Sequence, residues 1–442
     1  MDLDPIFKAY DIRGLYPEQI DADAARRIGR AFAVFTASPE VLVGRDMRES
    51  SPELAAAFIE GVTAAGSDAV DLGLCSTDLV YYASGHLGRP GAMFTASHNP
   101  AVYNGIKMCG PGAAPIGIDT GLLEIKALAT DLPPEAPRRG SVSQRDLLDE
   151  FADHLLSRIA LDEMKPLVVA VDAANGMGGK VVPAVLGRLP IEVVPLYFEL
   201  DGTFPNHPAD PIQPENLRDL QGLVRSRGAD VGLAFDGDAD RVFLLDEHAR
   251  PVSGSLTTAL VTQAILTDHP GETVIYNAIC SRVVPEVIEE LGGRGVRSKV
   301  GHSFIKQLMA EHEAVFGGEH SGHYYFRDNY RADSGLLASL YVLDTISRSG
   351  RTLGELLAPL DRYSNSGEIN SVVTDQTAAL EAVSAGFAEA AQDRLDGLTV
   401  SDADWWFNVR PSNTEPLLRL NVEATSEGLM AEVRDRVLSI IR

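Results

Sequence analysis

Cysteine is scarce in this chain, and the few cysteines that occur are scattered. Cys75, Cys109 and Cys280 are the only three among 442 residues. An odd, widely spaced set does not form the disulfide framework that holds small secreted domains together. We therefore expect free thiols and a cytoplasmic location.

Long apolar runs are missing as well. No stretch of 18 apolar residues exists that could span a membrane as a helix. The first residues lack the basic and then apolar segments of a signal peptide. A content of 45% hydrophobic and 23% charged residues is typical of folded soluble proteins. The length predicts two to four domains.

Positive charge is in deficit. The chain has 38 basic against 63 acidic residues, and its net charge is −25. Such a surface repels polyanions, so neither nucleic acid nor an anionic membrane is expected as a partner. If the substrate is an anion, its site must concentrate Arg, Lys and His against this background.

The most informative segment that is present is an acidic turn, residues 236–241, with the sequence Asp-Gly-Asp-Ala-Asp-Arg. Apolar runs at 231–235 and 242–245 predict a strand on each side of it. Crowded carboxylates raise one another's pKa unless a cation offsets their charge. A hard divalent cation that prefers oxygen does so, and Mg²⁺ is the commonest choice where phosphate is also bound. The turn therefore predicts a magnesium site.

Two other interpretations of the acidic turn are open at this point. One is an ordinary acidic turn on the protein surface. The other is an EF-hand calcium loop, in which the three aspartates take odd positions and Glu247 stands at the twelfth. That loop needs Gly at its sixth position, where this chain has Arg241, and helical flanks, where strands are predicted.

A second polar loop contains a candidate nucleophile. Ser97 follows a predicted strand and lies among Thr, His and Asn residues, as a serine for phosphoryl transfer would. Lys107, farther along the same loop, could offset negative charge or move a proton. The simpler alternative is a serine that caps a turn.

A third polar loop, residues 317–323, combines two glycines with an acceptor and a donor. Glu319 and Ser321 are two residues apart, so in an extended loop they face the same side and suit two vicinal sugar hydroxyls. The alternative is a Zn²⁺ site at His320 and His323. No cysteine or further histidine lies close in sequence to complete it.

A fourth polar loop, residues 410–416, is suited to phosphate. Arg410 can bind a phosphate through two N–H groups. Ser412, Asn413 and Thr414, together with their backbone N–H groups, can form an anion-binding nest. The alternative is a turn bounded by two prolines.

The apolar pattern predicts three α/β units in series and a smaller α+β domain after them. Ser51 is predicted as the N-cap of a helix that ends at Gly66. In the tail, a helix is predicted over 378–393, and linkers are predicted at 132–141, 246–254 and 361–367. Each unit ends a late strand at one of the polar loops, which is where ligands of parallel α/β sheets bind.

The four loops, in this order and over the whole chain, resemble the motifs of the α-D-phosphohexomutase superfamily, and more closely its bacterial phosphomannomutase/phosphoglucomutase branch. The resemblance implies four domains around a central cleft. Three related α/β domains with mixed sheets would span 1–138, 139–250 and 251–363, and an α+β domain would span 364–442. They would carry, in turn, the phosphoserine, metal-binding, sugar-recognition and phosphate-binding loops.

The resemblance also implies a set of site residues. Ser97 would be carried as a phosphoserine, and its phosphate would hold one Mg²⁺ together with Asp236, Asp238 and Asp240. The implied catalytic residues are Ser97, Arg13, Lys107, Arg241 and His302. The implied substrate-binding residues are Tyr10, Arg282, Glu319, Ser321, His323, Arg410, Ser412, Asn413 and Thr414.

The implied reaction is the reversible conversion of a hexose 6-phosphate to a hexose 1-phosphate through a bisphosphorylated sugar. A hexose 1,6-bisphosphate would be the activator, and hexose phosphates would be the ligands. The enzyme would be a monomer or a homodimer. Two positions depart from the family pattern. His320 stands where mannose-active relatives often have Met. Ile279 stands where some bifunctional relatives have Lys, so that Ser281 and Arg282 would take over part of that contact.

The preferred sugar is therefore not fixed by the resemblance. A phosphoglucosamine mutase or a hexose-bisphosphate synthase would share most of the motifs. A haloacid-dehalogenase-type phosphatase would instead use an aspartate as nucleophile. A non-catalytic calcium-binding or sugar-binding protein is the most distant alternative.

Overall fold

The computed structural model describes residues 2–160, 164–412 and 417–442. Its strands are β1 (Ile12–Leu15), β2 (Glu40–Arg45), β3 (Asp68–Leu74), β4 (Gly91–Phe94), β5 (Tyr103–Gly110), β6 (Ala114–Pro115), β7 (Val142–Gln144), β8 (Val168–Asp172), β9 (Glu192–Leu196), β10 (Val231–Phe235), β11 (Val242–Leu245), β12 (Pro251–Val252), β13 (Thr273–Asn277), β14 (Arg294–Ser298), β15 (Phe316–Gly318), β16 (Tyr324–Phe326), β17 (Ala332–Asp333), β18 (Ser364–Val372), β19 (Ala391–Asp393), β20 (Leu398–Ser401), β21 (Trp405–Pro411) and β22 (Leu417–Ala424).

The α-helices follow the same order along the chain. They are α1 (Ala22–Thr36), α2 (Ser51–Ala64), α3 (Thr77–Leu87), α4 (Leu122–Thr130), α5 (Leu148–Leu156), α6 (Gly178–Leu186), α7 (Arg218–Arg227), α8 (Gly254–Asp268), α9 (Val283–Glu290), α10 (His302–Glu311), α11 (Gly335–Ser349), α12 (Leu353–Leu357), α13 (Gln376–Gly386) and α14 (Glu427–Ile441). Within the described ranges, none of these helices combines the length and the apolar character that a membrane crossing needs.

The strands form four sheets in series, with the orders β1-β5-β4-β2-β3-β7 (β6 joins β5), β12-β11-β10-β8-β9, β14-β13-β15-β16-β17 and β18-β22-β21-β20-β19. In each of the first three sheets, parallel strands are followed by an antiparallel neighbour: β4 by β5, β10 by β11, and β15 by β16. The fourth sheet is antiparallel throughout. The predicted fold, three α/β units with mixed sheets and a smaller α+β domain, is confirmed.

The cores distinguish the last unit from the first three. One cluster of buried side chains runs through the first three sheets and includes Leu42, Val169 and Val274. The last unit has a separate core, to which Phe407 and Val422 belong. The first three sheets therefore share one apolar cluster, and each of them also has a further cluster of its own, whereas the core of the fourth sheet is separate.

Three predictions of local structure are wrong. The tail helix ends at Gly386, and the residues predicted as its last turn form β19, because they pair with β20 at the sheet edge. Ser51 is the first helical residue rather than the cap, and its hydroxyl donates to Asp46 at 2.6 Å. Lys107 lies on β5, not in a loop, because β5 pairs with β4.

Two of the predicted linkers also contain regular structure. The segment 246–254 includes β12 and the start of α8, and the segment 361–367 includes the start of β18. The strand β7 pairs with β3 in the first sheet, although it lies beyond residue 138, where we placed the end of the first domain. The domain boundaries themselves stay a prediction.

Candidate active site

The first three polar loops occupy equivalent positions in their sheets. Each is the turn that joins a strand to its antiparallel neighbour: β4 to β5, β10 to β11, and β15 to β16. Of the fourth loop, the structure describes Arg410 and Pro411, at the end of β21, and Ser412 after them. In the first three sheets this turn follows the carboxyl end of a strand that also has a parallel neighbour, which is where ligands gather in α/β sheets. Strand flanks also exclude an EF-hand at the acidic turn.

Ser97 lies against the acidic turn. Its Oγ donates a hydrogen bond to Asp236 Oδ2 at 2.7 Å, although the two residues are 139 positions apart. Ser97 is buried, and its backbone has a positive φ of 51°. A residue with a Cβ is strained in that conformation, and such strain clusters at functional sites. The first and second polar loops therefore form one centre.

The close approach of these two loops requires a glycine. A Cβ at Gly237 would lie 2.4 Å from the carbonyl oxygen of Ser97. Real Cβ atoms do not tolerate that distance from backbone, so any side chain would push the loops apart. Because Ser97 lies so close, only glycine fits at the position between the first two aspartates.

Arg48 holds the serine loop, and sequence reasoning missed it. Its side chain is fully buried, and its Nε donates to Asp46 Oδ2 at 3.2 Å. Its two terminal nitrogens donate to four backbone carbonyls, those of Ser97 (2.9 Å), Asn99 (2.7 Å), Pro100 (2.9 Å) and Tyr103 (3.0 Å). One guanidinium therefore fixes the loop in its strained shape. A lone arginine after a strand carries no sequence signal for such a role.

The three aspartates of the acidic turn are buried to 1% exposure or less. Each can offer an oxygen within 4.8 Å of the others. Lys107 Nζ bonds Asp238 Oδ2 at 2.7 Å and Asp240 Oδ2 at 2.6 Å. Arg241 Nε donates to Asp236 Oδ2 at 2.9 Å. Burial excludes the interpretation as an exposed surface turn.

The same carboxylates keep acceptors free. Oδ1 of Asp238 and Oδ1 of Asp240 are buried without a hydrogen-bond partner in the described part of the chain. A buried carboxylate oxygen without a donor is costly, and a hard cation is the ligand that relieves it. The acidic cluster therefore fits a metal cofactor. Thr77 from α3, which the sequence did not single out, also donates to Asp238.

The electrostatics reflect this crowding. Burial and the neighbouring carboxylates raise the pKa of Asp236 to about 6 and that of Asp240 to about 7. Burial would also raise the pKa of Asp238, but Lys107 more than offsets it and holds that pKa below its usual value. In turn, these carboxylates raise the pKa of Lys107 well above its usual value, against the effect of burial. One added divalent charge would keep all three aspartates ionised.

The third polar loop reaches the same centre. His323 Nε2 lies 3.8 Å from Asp240 Oδ1, and Ser321 Oγ donates to Glu319 Oε2 at 3.1 Å. Burial lowers the pKa of His323 to about 4, so its imidazole is neutral at pH 7. His320 instead forms a hydrogen bond with Ser255. Among the described residues, two groups of side chains could hold a metal ion, and His320 belongs to neither. The alternative Zn²⁺ site at His320 and His323 is therefore not formed.

A cavity of about 1250 Å³ separates the first, third and last units. Tyr10, Gly301, Arg410 and Ser412 are among the residues that line it. The ring of Tyr10 packs edge-on against the imidazole of His302, with 5.3 Å between the ring centroids. Burial lowers the pKa of His302 to about 3. This cavity therefore forms part of the predicted cleft, with Arg410 and Ser412 on the wall formed by the last unit, while the described residues of the second unit, and Ser97, are not among those that line it.

A buried ion pair connects this cavity with the acidic turn. Lys306, which lines the cavity, bonds Asp333 at 2.9 Å. Asp333 in turn lies 4.0 Å from His323. Neither Lys306 nor Asp333 stands out in the sequence, because a single lysine on a helix and a single aspartate on a short strand are ordinary.

The remaining predicted site residues have different outcomes. Arg13 donates to Asn99 in the serine loop at 2.5 Å and therefore lies at the centre. Arg282 donates to backbone carbonyls of the last unit, which places it at an interface between units rather than among the cavity-lining residues. Asn413 and Thr414 lie outside the described residues.

Comparison with known proteins identifies four consecutive family domains. Residues 4–132, 149–250 and 253–363 match the models of phosphoglucomutase/phosphomannomutase alpha/beta/alpha domains I, II and III. Residues 368–440 match the model of the C-terminal domain of the same family.

Similar proteins cover nearly the whole chain. A phosphomannomutase of Salmonella montevideo is 42% identical over 97% of this chain and 97% of its own length. A protein of Xanthomonas campestris described as phosphohexose mutases is 40% identical over 98% of each chain. A crystal structure of a phosphoglucomutase/phosphomannomutase family protein from Burkholderia thailandensis has a TM-score of 0.92 and 33% identity, covering 100% of this chain and 97% of the other. The resemblance inferred from four short loops is thereby confirmed, and the chain belongs to the phosphoglucomutase/phosphomannomutase family, in the bacterial branch of the α-D-phosphohexomutase superfamily.

Proposed function

We propose that the protein is a phosphomannomutase, which interconverts mannose 6-phosphate and mannose 1-phosphate and also accepts the corresponding glucose phosphates. The observation that carries the proposal is the bond from Ser97 Oγ to Asp236 within a buried group of three carboxylates. The names of relatives at about 40% identity support the mannose assignment. The family name, which covers both sugars, supports the wider range.

Mg²⁺ is the proposed cofactor, held by Asp236, Asp238, Asp240 and the phosphate carried on Ser97. The two unpartnered carboxylate oxygens support this assignment, since oxygen ligands without donors suit a hard cation. When bound there, the ion supplies positive charge that offsets the charge of the transferred phosphoryl group. Lys107 and Arg241 hold the carboxylates in place from the protein side.

Ser97 passes the phosphoryl group to the free hydroxyl of the sugar monophosphate, so that a P–O bond to the sugar forms as the bond to Oγ breaks. The hydroxyl proton leaves to a base, for which we propose His323 because its imidazole lies 3.8 Å from Asp240 beside the acidic turn. The bisphosphorylated sugar then turns end for end, and its other phosphate returns to Ser97. Hexose 1,6-bisphosphate is the activator because it phosphorylates Ser97 at the start.

Substrate contacts are assigned by position. Glu319 and Ser321 face the sugar hydroxyls. Tyr10 lines the cavity opposite the last unit, and His302 packs against its ring. Arg410 and Ser412, with Asn413 and Thr414, bind the phosphate that is not being transferred. The three cysteines are free and buried, which supports the proposed cytoplasmic location.

The test is a mutase assay with Mg²⁺ and a hexose 1,6-bisphosphate on mannose 1-phosphate, glucose 1-phosphate and glucosamine 1-phosphate. We expect turnover of the first two and a phosphoserine at residue 97 by mass spectrometry. Ser97→Ala should abolish both signals. Turnover confined to the amino sugar, or a phosphoryl group on an aspartate, would overturn the proposal.

A further inference from the structure

Glu368 bridges the two arginines that face the cavity from the last unit. Its Oε2 bonds Arg410 at 3.0 Å, and its Oε1 bonds Arg419 at 3.1 Å. Both arginines line the cavity. The carboxylate therefore takes one N–H group from each guanidinium at the place where an anionic ligand would enter.

The geometry of the sheet explains why a carboxylate is needed there. Arg410 on β21 and Arg419 on β22 stand directly opposite each other in register. Like charges at opposed positions repel, and a carboxylate between them removes the repulsion. Glu368 reaches them from β18, whose register with β22 shifts between Asn365 and Glu368.

The bridge leaves both guanidiniums with donors to spare. The Nε–H group of Arg410 and that of Arg419 are buried and have no hydrogen-bond partner within the described residues. Together the two arginines and Glu368 carry a net charge of one, instead of the two that the arginines alone would present to a dianion. A phosphate that binds here must therefore tolerate or displace the carboxylate.

We propose that Glu368 is an internal competitor of the substrate phosphate, which occupies the arginine pair between phosphates and keeps the affinity of that pair for dianions low. This inference rests on the proposed function, in which the same loop must release one phosphate and accept another each time the bisphosphate turns. As a phosphate leaves, the carboxylate replaces it on the two arginines. When the phosphate is released, the Glu368 carboxylate takes its place as the hydrogen-bond acceptor. The two opposed guanidiniums are therefore not left without a counter-charge.

The direct test is calorimetric titration with inorganic phosphate at low ionic strength. Glu368→Gln keeps the size of the side chain and removes its charge, so we expect about fivefold to tenfold tighter phosphate binding than in the unchanged protein. Glu381→Gln is the matched control. Glu381 belongs to the same unit and pairs with Arg394 on the surface. Removing its charge should leave the affinity for phosphate unchanged. Arg410→Met should abolish the tight binding.

The direction of the change in phosphate affinity shows whether Glu368 competes with phosphate or only stabilises the sheet. If Glu368 only held the arginines in place, Glu368→Gln would bind phosphate equally well or more weakly, and the inference would be wrong. Glu368→Asp provides a second measurement should the first variant fold poorly. Its shorter carboxylate cannot span both arginines, so phosphate should again bind more tightly than in the unchanged protein, and equal or weaker binding would overturn the inference.

Steady-state kinetics separate the two roles by the direction in which KM changes. Glu368→Gln should lower both KM and kcat for the sugar phosphate, because the loop binds phosphate more tightly and releases it more slowly. A raised KM would contradict the inference. If the unchanged protein turns over no hexose phosphate at all, the proposed function fails, and the phosphate titration still decides the role of Glu368.

Discussion

Gly237 packs so closely against Ser97 that a Cβ on the glycine would lie 2.4 Å from the serine carbonyl oxygen. Gly237→Ala should therefore push the acidic turn away from the serine loop and lengthen the bond between Ser97 and Asp236. Displacement of reacting groups by about 1 Å can cost about 10²-fold in rate, and we expect a fall of that order in kcat/KM. The measurement is the mutase assay with saturating Mg²⁺.

Gly222→Ala is the control for that substitution. Gly222 lies on α7, and a Cβ there meets no atom within 4 Å. Alanine at an open helical position stabilises by up to about 1 kcal/mol and should leave kcat/KM unchanged. Retention of activity in Gly237→Ala would show that the two loops need not touch.

Arg48→Lys tests whether one guanidinium holds the serine loop. Lysine keeps a positive charge beside Asp46, but its single amino group cannot reach the four carbonyls that the arginine fixes. We expect kcat to fall at least tenfold, because Ser97 relaxes from its strained backbone conformation. The fold should persist, which circular dichroism checks.

Arg45→Lys makes the same exchange three positions earlier, at the end of β2, and should have little effect on kcat. Equal losses in the two variants would mean that Arg48 supports the fold in general rather than the serine loop.

Asp78 predicts a pH dependence of stability. This carboxylate is fully buried at the start of α3 and accepts a hydrogen bond from Ser334 in the third unit at 2.7 Å. Burial raises its pKa to about 7. The folded state then binds the proton more tightly than the unfolded state, whose aspartates titrate near pH 4. The stabilisation is complete below about pH 4 and is lost as the pH rises to about 7.

Asp78→Asn removes this dependence because the amide stays neutral at every pH. The melting temperature of the unchanged protein, measured relative to that of Asp78→Asn, should fall between pH 5 and pH 8. The full effect from pH 4 to pH 7 is up to about 4 kcal/mol. Asp68→Asn is the control, since hydrogen bonds from Ser141 lower the pKa of Asp68 and confine its titration to lower pH. Parallel melting profiles for Asp78→Asn and the unchanged protein between pH 5 and pH 8 would contradict the prediction.

Particular residues show which features of the structure the sequence can predict and which it cannot. The acidic turn and Ser97 were predictable because their residue types are unusual at the end of an apolar strand. Arg48 was not, because its role depends on where four carbonyl groups lie in space. The sequence pattern predicts too long a helix in the tail because alanine-rich sequence favours a helix, whereas residues Ala391–Asp393 form a strand because they pair with β20.

Arg282 connects the third unit with the last and predicts how firmly the last unit closes. Its guanidinium donates to the backbone carbonyls of Ala403 at 2.7 Å and Trp405 at 2.9 Å, and also to that of Asp402. Its own backbone N–H donates to Glu423 at 2.9 Å. Hydrogen bonds from a charged donor contribute about 1.5–3 kcal/mol each.

Arg282→Met should therefore loosen the last unit without touching Ser97 or the acidic turn. Because Arg410, which we propose to bind the substrate phosphate, belongs to that unit, KM for the sugar phosphate should rise about tenfold while kcat changes little. Hydrogen exchange at residues 402–405 should become faster. Arg294→Met, at an exposed position on β14, is the matched control and should change neither quantity. A loss confined to kcat, with unchanged exchange, would instead place Arg282 in direct contact with the reacting sugar, as the family resemblance implied.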